Sequence, residues 1–391
     1  MKKLMPVYGT RPEAIKMAPL VRSFAADPEF TVATVVTGQH RDMLDQVNRQ
    51  FGIRPCEDLD IMTARQSPAD VIARTIEGLD RTIARHAPDA VIVQGDTTSA
   101  MAAALAAFNR RVPVVHVEAG LRSGDLHSPF PEEGNRRVIG QIASLHLAPT
   151  PRAKKHLIES GIPDAAIATT GNTVVDALEL ILESTRPQFT DARVAAIFGA
   201  PRPTVLVTAH RRENHGAPMR RIGRALVTLA ARFPDHDFLL PAHPHPAVAE
   251  SLLPEVIGIR NLVVTSPLSY AEMAHVMARV DLVMTDSGGV QEEAPALGKP
   301  VLVLRENTER PEGVEAGTVR LVGTDPHRII EEVSTLLTDA VAYERMARAV
   351  NPYGDGRAAE RTTAAVRAFF GLGPQMPDFA PRTVVGAGAS S

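Results

Sequence analysis

The most constraining feature of this chain is an alternation. Short apolar, β-branched runs are separated by stretches of helical periodicity along almost its whole length. The runs fall at 3–8, 31–36, 89–94, 113–117, 145–149 and 167–170, and again at 204–208, 237–241, 261–265, 281–285, 300–304 and 319–322. Runs of this kind read as strands buried on both faces, and the stretches between them as crossover helices. Segment 183–203 holds three prolines and weak periodicity, and it separates the two series. At 391 residues the chain is also too long for one ordinary core. The expectation is an α/β protein of two doubly wound, Rossmann-like domains, 1–170 and 171–355. Ligands are expected at the carboxyl ends of the strands, in a cleft between the domains.

Composition removes several function classes. A formal net charge of −3 argues against a nucleic-acid binder, which needs a basic face. No run approaches the ~18 apolar residues of a membrane span. The opening residues Met1 to Tyr8 share only two lysines with a signal peptide and read as a first strand. One cysteine, Cys56, leaves no internal disulfide and no cysteine-rich zinc site, so a cytoplasmic protein is expected. Thirteen histidines show no metal-ligand spacing, and His243-Pro244-His245 reads as a loop. Residues 371–391, rich in Gly, Pro, Ala and Ser, read as a disordered tail.

The chemistry-bearing strings sit at strand ends. Asp286-Ser287-Gly288-Gly289-Val290-Gln291-Glu292-Glu293 follows the run 281–285 and opens a helical segment. Helix starts present unpaired N–H groups and partial positive charge, so Ser287, Gly288 and Gly289 suit a phosphate, with Glu293 placed to accept from sugar hydroxyls beside it. The same residues also suit an ordinary capped helix whose glycines make the turn. After the first strand, Gly9-Thr10-Arg11-Pro12-Glu13-Ala14-Ile15-Lys16 puts two cations, Arg11 and Lys16, in the first turns of a helix. They oppose the helix dipole there and are better explained by an anionic ligand.

Two neighbouring strands then deliver carboxylates. Gln94-Gly95-Asp96-Thr97 places Asp96 where it either caps the helix at 97–108 or faces the ligand. His116-Val117-Glu118-Ala119-Gly120 ends a strand on Glu118 without starting a helix. Glu132 and Glu133 lie in a first helical turn, where acidic residues are common. In the second half, Thr208-Ala209-His210-Arg211-Arg212 offers a pyrophosphate contact or, equally, a salt-bridged loop, and Arg310, after the run 300–304, is a further candidate for phosphate neutralisation.

These strings, together with Gln39-His40-Arg41, Pro131-Glu132-Glu133, Gly171-Asn172-Thr173, Thr308-Glu309-Arg310-Pro311-Glu312 and Asn351-Pro352-Tyr353-Gly354-Asp355-Gly356, resemble the non-hydrolysing UDP-N-acetylglucosamine 2-epimerases, in the family's order from residue 3 to about 370. The resemblance implies a glycosyltransferase-B-like fold whose C-terminal helix, here 356–370, packs back on the first domain. It also implies a homodimer that interconverts UDP-N-acetylglucosamine and UDP-N-acetylmannosamine, commonly to supply surface polysaccharides.

By the same resemblance Asp96, Glu118 and Glu132 are the acid–base groups. Arg11, His210, Ser287, Gly288, Gly289 and Arg310 meet the diphosphate, Glu293 the ribose, and Lys16 and Arg136 the surround. Leu268 and Met273 lie beside the uracil. Family members often carry an aromatic residue where Met273 stands, and methionine can still cover the ring. Some bacterial relatives bind UDP-N-acetylglucosamine as an activator, for which the matching surface includes Gln39, His40, Arg65, Glu132, Arg211 and His243. Asp42 stands there in place of a longer Gln or Glu.

Inverting C2 needs removal of a hydrogen from a carbon not next to a carbonyl. Oxidation at C3 would call for a nicotinamide, and no Gly-x-Gly-x-x-Gly follows the first strand. Elimination of UDP and its re-addition needs neither cofactor nor metal. A glycosyltransferase of the same fold and a hydrolysing epimerase are the alternatives.

Overall fold

The computed structural model describes residues 1–38, 41–63, 66–199 and 202–381. One compact unit comprises Met1–Leu180 and Tyr353–Ala380, and the other contains Ile181–Pro352.

The first unit is built on β1 (Lys2–Tyr8), β2 (Phe30–Val32), β3 (Val35–Val36), β4 (Glu57–Asp58), β5 (Ala90–Gln94), β6 (Val114–Val117), β7 (Leu145–Ala148) and β8 (Ile167–Thr169). Their spatial order is β4-β3-β1-β5-β6-β7-β8, with β2 also beside β1, and the pairings are parallel. The run read as one strand at 31–36 is two, since β2 pairs with Lys2–Leu4 and β3 with Val7 and Tyr8. Strand β4 was not expected, because two charged residues at a sheet edge carry no apolar pattern.

Buried residues fill β5 throughout, and Val91 and Val93 join Ala103, Ala107 and Leu79 of two covering helices in one core. Each such side chain stabilises the fold by roughly 1.5–3 kcal/mol for Val or Leu. The poly-alanine face of helix Thr98–Asn109 lets it lie close to the sheet.

The second unit holds β9 (Thr204–Thr208), β10 (Asp237–Pro241), β11 (Leu262–Thr265), β12 (Leu282–Thr285), β13 (Val301–Val303) and β14 (Val319–Leu321), in the parallel order β11-β10-β9-β12-β13-β14. This is the dinucleotide-fold order, whose direction reverses between β9 and β12. In the first unit the reversal falls between β1 and β5.

Local chemistry explains where helices begin. Thr10 and Glu13 form a capping box with Pro12 in the first turn of Arg11–Ala26, and Ser67 with Asp70 does the same for Pro68–His86. The separator segment contains a helix, Ala192–Gly199, which weak periodicity concealed.

Three further features concern the boundaries. The division between units falls inside helix Thr173–Ser184. This is because the start of that helix is tied to the first unit: Asp176 accepts from the backbone N–H groups of Ala358 (3.2 Å) and Ala359 (2.7 Å). The helix Ala358–Phe369 lies on Arg11–Ala26, with Ser23 Oγ 2.7 Å from Thr363 Oγ1 and Arg367 paired to Asp27 at 2.9 Å. Finally, the disordered tail expected from residue 371 is corrected over its first part. Phe379 is buried and donates its N–H to Thr169 O, and Asp378 accepts from Thr169 N and pairs with Lys154. One aromatic ring with a place to go outweighed the small-residue composition around it.

Candidate active site

Each sheet carries a polar cluster at the carboxyl end of its reversal point. In the first unit, β1 leaves through Gly9, where a Cβ would lie 1.9 Å from Thr37 Oγ1, so the chain can pass only as glycine. Glu13, fully enclosed, ties this turn together: it accepts from Gly9 N (2.9 Å), Thr10 N (2.7 Å) and Thr97 Oγ1 (2.6 Å). Burial pushes its pKa up, and those hydrogen bonds pull it back.

Glu118 follows β6 with φ of +61°, a left-handed conformation uncommon outside glycine. Its side chain is 7 % exposed, and Lys16 Nζ lies 2.5 Å from Oε1. Asn172 Nδ2 donates to the same oxygen at 3.0 Å, and the Gln94 amide donates to Oε2. The ammonium of Lys16, expected to meet an anion, is thus engaged with the carboxylate, and any ligand anion has to share it.

Asp96 stands at the end of the adjacent strand β5. It does not cap the following helix, because Thr97 does, with Oγ1 accepting from Ala100 N at 3.0 Å. Asp96 instead accepts from Arg136 Nη2 at 2.5 Å and Nε at 3.1 Å. Burial pushes its carboxyl pKa up, Arg136 opposes, and the charges of Glu118 and Glu132 add to the rise. Those electrostatic links place Asp96, Glu118 and Glu132 in one neighbourhood. Glu132 Oε2 is closed to solvent without a hydrogen-bond partner among the described residues, which is costly unless a ligand supplies one.

Beneath this layer Glu133 is fully enclosed and accepts from Ser123 N (3.0 Å), Arg136 (3.1 Å) and Arg137 (2.9 Å). Burial raises its pKa, yet these partners hold it below the usual value. His116 is also enclosed, with Nε2 2.8 Å from Gly95 O, and burial drops its pKa to about 3. It stays neutral and structural. Arg11 is half-buried at the start of its helix.

In the second unit the reversal point brings β9 and β12 side by side. Asp286, 0 % exposed, accepts from the backbone of His210 (2.9 Å) and Arg211 (2.9 Å) and from Asn214 Nδ2 (2.9 Å), so it locks the loop after β9 to the loop after β12. His210 Nδ1 lies 3.3 Å from the same carboxylate, and its ring stacks on His243 with centroids 5.0 Å apart. Burial pushes the His210 pKa down against the pull of Asp286.

After Ser287 the chain passes Gly288, where a Cβ would lie 2.6 Å from Arg310 Nη1. The guanidinium of Arg310 therefore rests against this turn, held by Glu292 (2.5 Å) and Glu309 (2.8 Å). Burial raises the Glu309 pKa, but Arg310 and Arg305 bring it to about 2. Gly289 caps the helix Val290–Ala296, in which Glu293 is buried. Leu268, buried, and Met273, half-buried, follow β11 at the sheet edge, with β10 between that strand and β9.

Among the expected activator residues, Gln39, His40 and Arg65 lie outside the described residues. Arg211 sits 3.8 Å from Glu309, and His243 is the ring beneath His210. Sequence reasoning assigned no role to Gln94, Asn172, Glu13 or Asp286. A signal was present in Gln94 and Asp286, polar residues that close apolar runs at the strand end where ligands bind.

Comparison with known proteins agrees with this organisation. The family model for UDP-N-acetylglucosamine 2-epimerase matches residues 22–367. A UDP-N-acetylglucosamine 2-epimerase of Salmonella typhimurium is 47% identical over 371 residues, 94% of this chain and 99% of the relative. Among solved structures, a Staphylococcus aureus MnaA–UDP complex superposes with a TM-score of 0.88 at 40% identity, covering 97% of this chain and 100% of the other. The Neisseria meningitidis UDP-GlcNAc 2-epimerase bound to UDP-GlcNAc gives 0.86 at 41%, covering 94% and 100%. With two parallel sheets, a polar cluster at each reversal point and a family match across nearly its whole length, the chain belongs to the UDP-N-acetylglucosamine 2-epimerase family of enzymes.

Proposed function

We propose that this enzyme interconverts UDP-N-acetylglucosamine and UDP-N-acetylmannosamine by eliminating UDP and adding it back, without hydrolysis. The observation that carries the reading is the pairing of unlike carboxyls on adjacent strands. Glu118 is held as an ion pair with Lys16, while burial and like charges push the Asp96 pKa above the usual carboxyl value against the pull of its partner Arg136. One group suited to take a proton stands beside one suited to give it.

In this scheme a carboxylate of the set Asp96, Glu118 and Glu132 takes the proton from C2. The C1–O bond breaks with its electrons passing to the β-phosphate oxygen, leaving 2-acetamidoglucal and UDP. A carboxylic acid then protonates C2 on the other face, and the same phosphate oxygen re-forms the bond to C1. The departing charge is met by Ser287, Gly288 and Gly289 with Arg11, His210 and Arg310. Arg136 holds Asp96 in place, Glu293 takes the ribose, and Leu268 and Met273 border the base. The product feeds surface polysaccharide synthesis in the cytoplasm, the enzyme acts as a homodimer, and UDP-N-acetylglucosamine itself is the candidate activator.

The test is proton NMR of UDP-N-acetylglucosamine with enzyme in heavy water. Both epimers should appear, each carrying deuterium at C2. Retained protium at C2 would overturn the elimination route, free N-acetylmannosamine would make the enzyme a hydrolase, and silence until an acceptor is added would make it a glycosyltransferase.

A further inference from the structure

A second polar site lies in the first unit, and none of the carboxylates that the proposed reaction uses lines it. A cavity of about 650 Å³ opens among the loop after β6, the helix Glu132–Ile142 and the helix Pro151–Glu159. Its size is within the roughly 300–1,000 Å³ of small-ligand pockets. Arg122, Arg137, Ser123, Gln141, His156 and Glu159 line it.

Charge in its wall is unbalanced. Arg136 is shared between Asp96 and Glu133, and Arg137 uses Glu133 as well. Arg122 is left over. One of its nitrogens donates to Leu121 O at 2.8 Å, and no carboxylate among the described residues lies within ion-pair distance of it. Of the two guanidiniums that line the cavity, Arg137 therefore has a carboxylate partner in Glu133 and Arg122 has no ion pair among the described residues. Arg122 is also partly withdrawn from water: it lies against the helix at Gly140, where a Cβ would be 3.5 Å from its Nη2, and burial depresses its pKa. Glu133 attracts it only from beyond ion-pair distance, against the repulsion of Arg136 and Arg137, and a partly desolvated cation so placed gains from an anion that completes it.

We propose that this cavity binds a phosphate monoester on a hydroxylated body, with the phosphate between Arg122 and Arg137. Planar guanidinium forks match phosphate oxygens, while the Ser123 hydroxyl, which donates to Asp125 O at 3.1 Å, holds the loop beside them. The remaining volume is lined by groups that accept from hydroxyls. Glu159 is one. His156 is another, because its Nδ1 lies 3.1 Å from Gly120 O, a carbonyl that can only accept, so in the neutral ring Nε2 is left as an acceptor. Glu159 also disfavours a second negative charge at that end.

Titration calorimetry of the full-length enzyme with glucose 6-phosphate tests this, with UDP present in excess so that the nucleotide site is filled. Binding heat is expected with glucose 6-phosphate, weaker affinity with inorganic phosphate, and none with glucose. Arg122→Gln and, separately, Gln141→Glu should each weaken it roughly ten-fold or more. Gln141 is exposed on its helix, so Gln141→Glu leaves the fold intact while adding a like charge to the cavity. No heat, heat abolished by UDP, or affinity unchanged in Gln141→Glu would overturn the site, and inorganic phosphate binding as tightly as the ester would overturn the choice of ligand. The outcome is independent of the reaction proposed above, since no turnover is read.

Discussion

The carboxyl-end cluster of the first unit and that of the second occupy the same place on the same kind of sheet, yet their charges are arranged differently. In the first, Glu132 Oε2 has no partner among the described residues, and burial raises Asp96 although Arg136 pairs with it. In the second, the cations are interlocked in advance, Arg310 with Glu292 and Glu309, Arg305 with Glu309 and Glu213. A carboxyl whose pKa is raised by burial and neighbouring carboxylates suits proton transfer. A guanidinium fixed by two carboxylates suits positioning, because it presents a pre-oriented fork and loses little entropy when a ligand arrives. Under the proposed reaction the first copy is the reactive edge and the second the gripping edge.

The sharpest way to break that contrast is to neutralise one member of each cluster. Glu118→Gln keeps size and most hydrogen bonds but removes the charge that pairs with Lys16. We expect kcat to fall about 10²–10⁴-fold with KM little changed. Arg310→Gln should instead weaken UDP binding measured by calorimetry. Equal effects of the two variants on kcat and on UDP affinity would erase the division of labour.

A smaller effect sharpens the second half of the contrast. Glu309 has its pKa lowered from 4.5 to about 2 by Arg310 and Arg305, although burial opposes them. A depressed carboxyl stabilises the fold fully above its unfolded value, and the contribution is lost as pH falls from about 4.5 toward 2. Glu309→Gln should therefore cost about 2–3 kcal/mol near neutral pH, and the gap from the parent enzyme should narrow as pH drops below about 4.5 and close toward 2. Denaturant titrations at several pH values measure this, and a pH-independent gap would mean that Glu309 acts through packing alone.

What the sequence revealed follows from range. Strands such as β5 and β9 were legible because residues buried on both faces form unbroken apolar runs. Doubly wound topology then placed Asp96, Glu118, His210 and Ser287 at ligand-facing ends without any side-chain knowledge. Strand β4 was invisible because it is held by ladder hydrogen bonds from two charged residues. Side-chain pairings were equally hidden: nothing in local pattern links Lys16 to Glu118 or Phe379 to the end of β8, since these contacts exist only once the sheet has set their neighbours.

Gln94 offers the finest test. It is the last residue of β5, 3 % exposed, and its amide donates to Glu118 Oε2 while Lys16 and Asn172 hold Oε1. Methionine has similar length and no donor, so Gln94→Met removes one hydrogen bond from the carboxylate with little change of volume. A hydrogen bond to the ionised form lowers a carboxyl pKa, so its loss should raise the pKa of Glu118 and move the acidic limb of the kcat profile upward. The expected cost is roughly ten-fold in kcat, near 1.4 kcal/mol, with KM within about two-fold. A purely structural role would lower the melting temperature and leave the acidic limb where it was. Movement of that limb with an unchanged melting temperature would place Gln94 with the reactive edge, as the residue that fixes which oxygen of Glu118 faces the sugar.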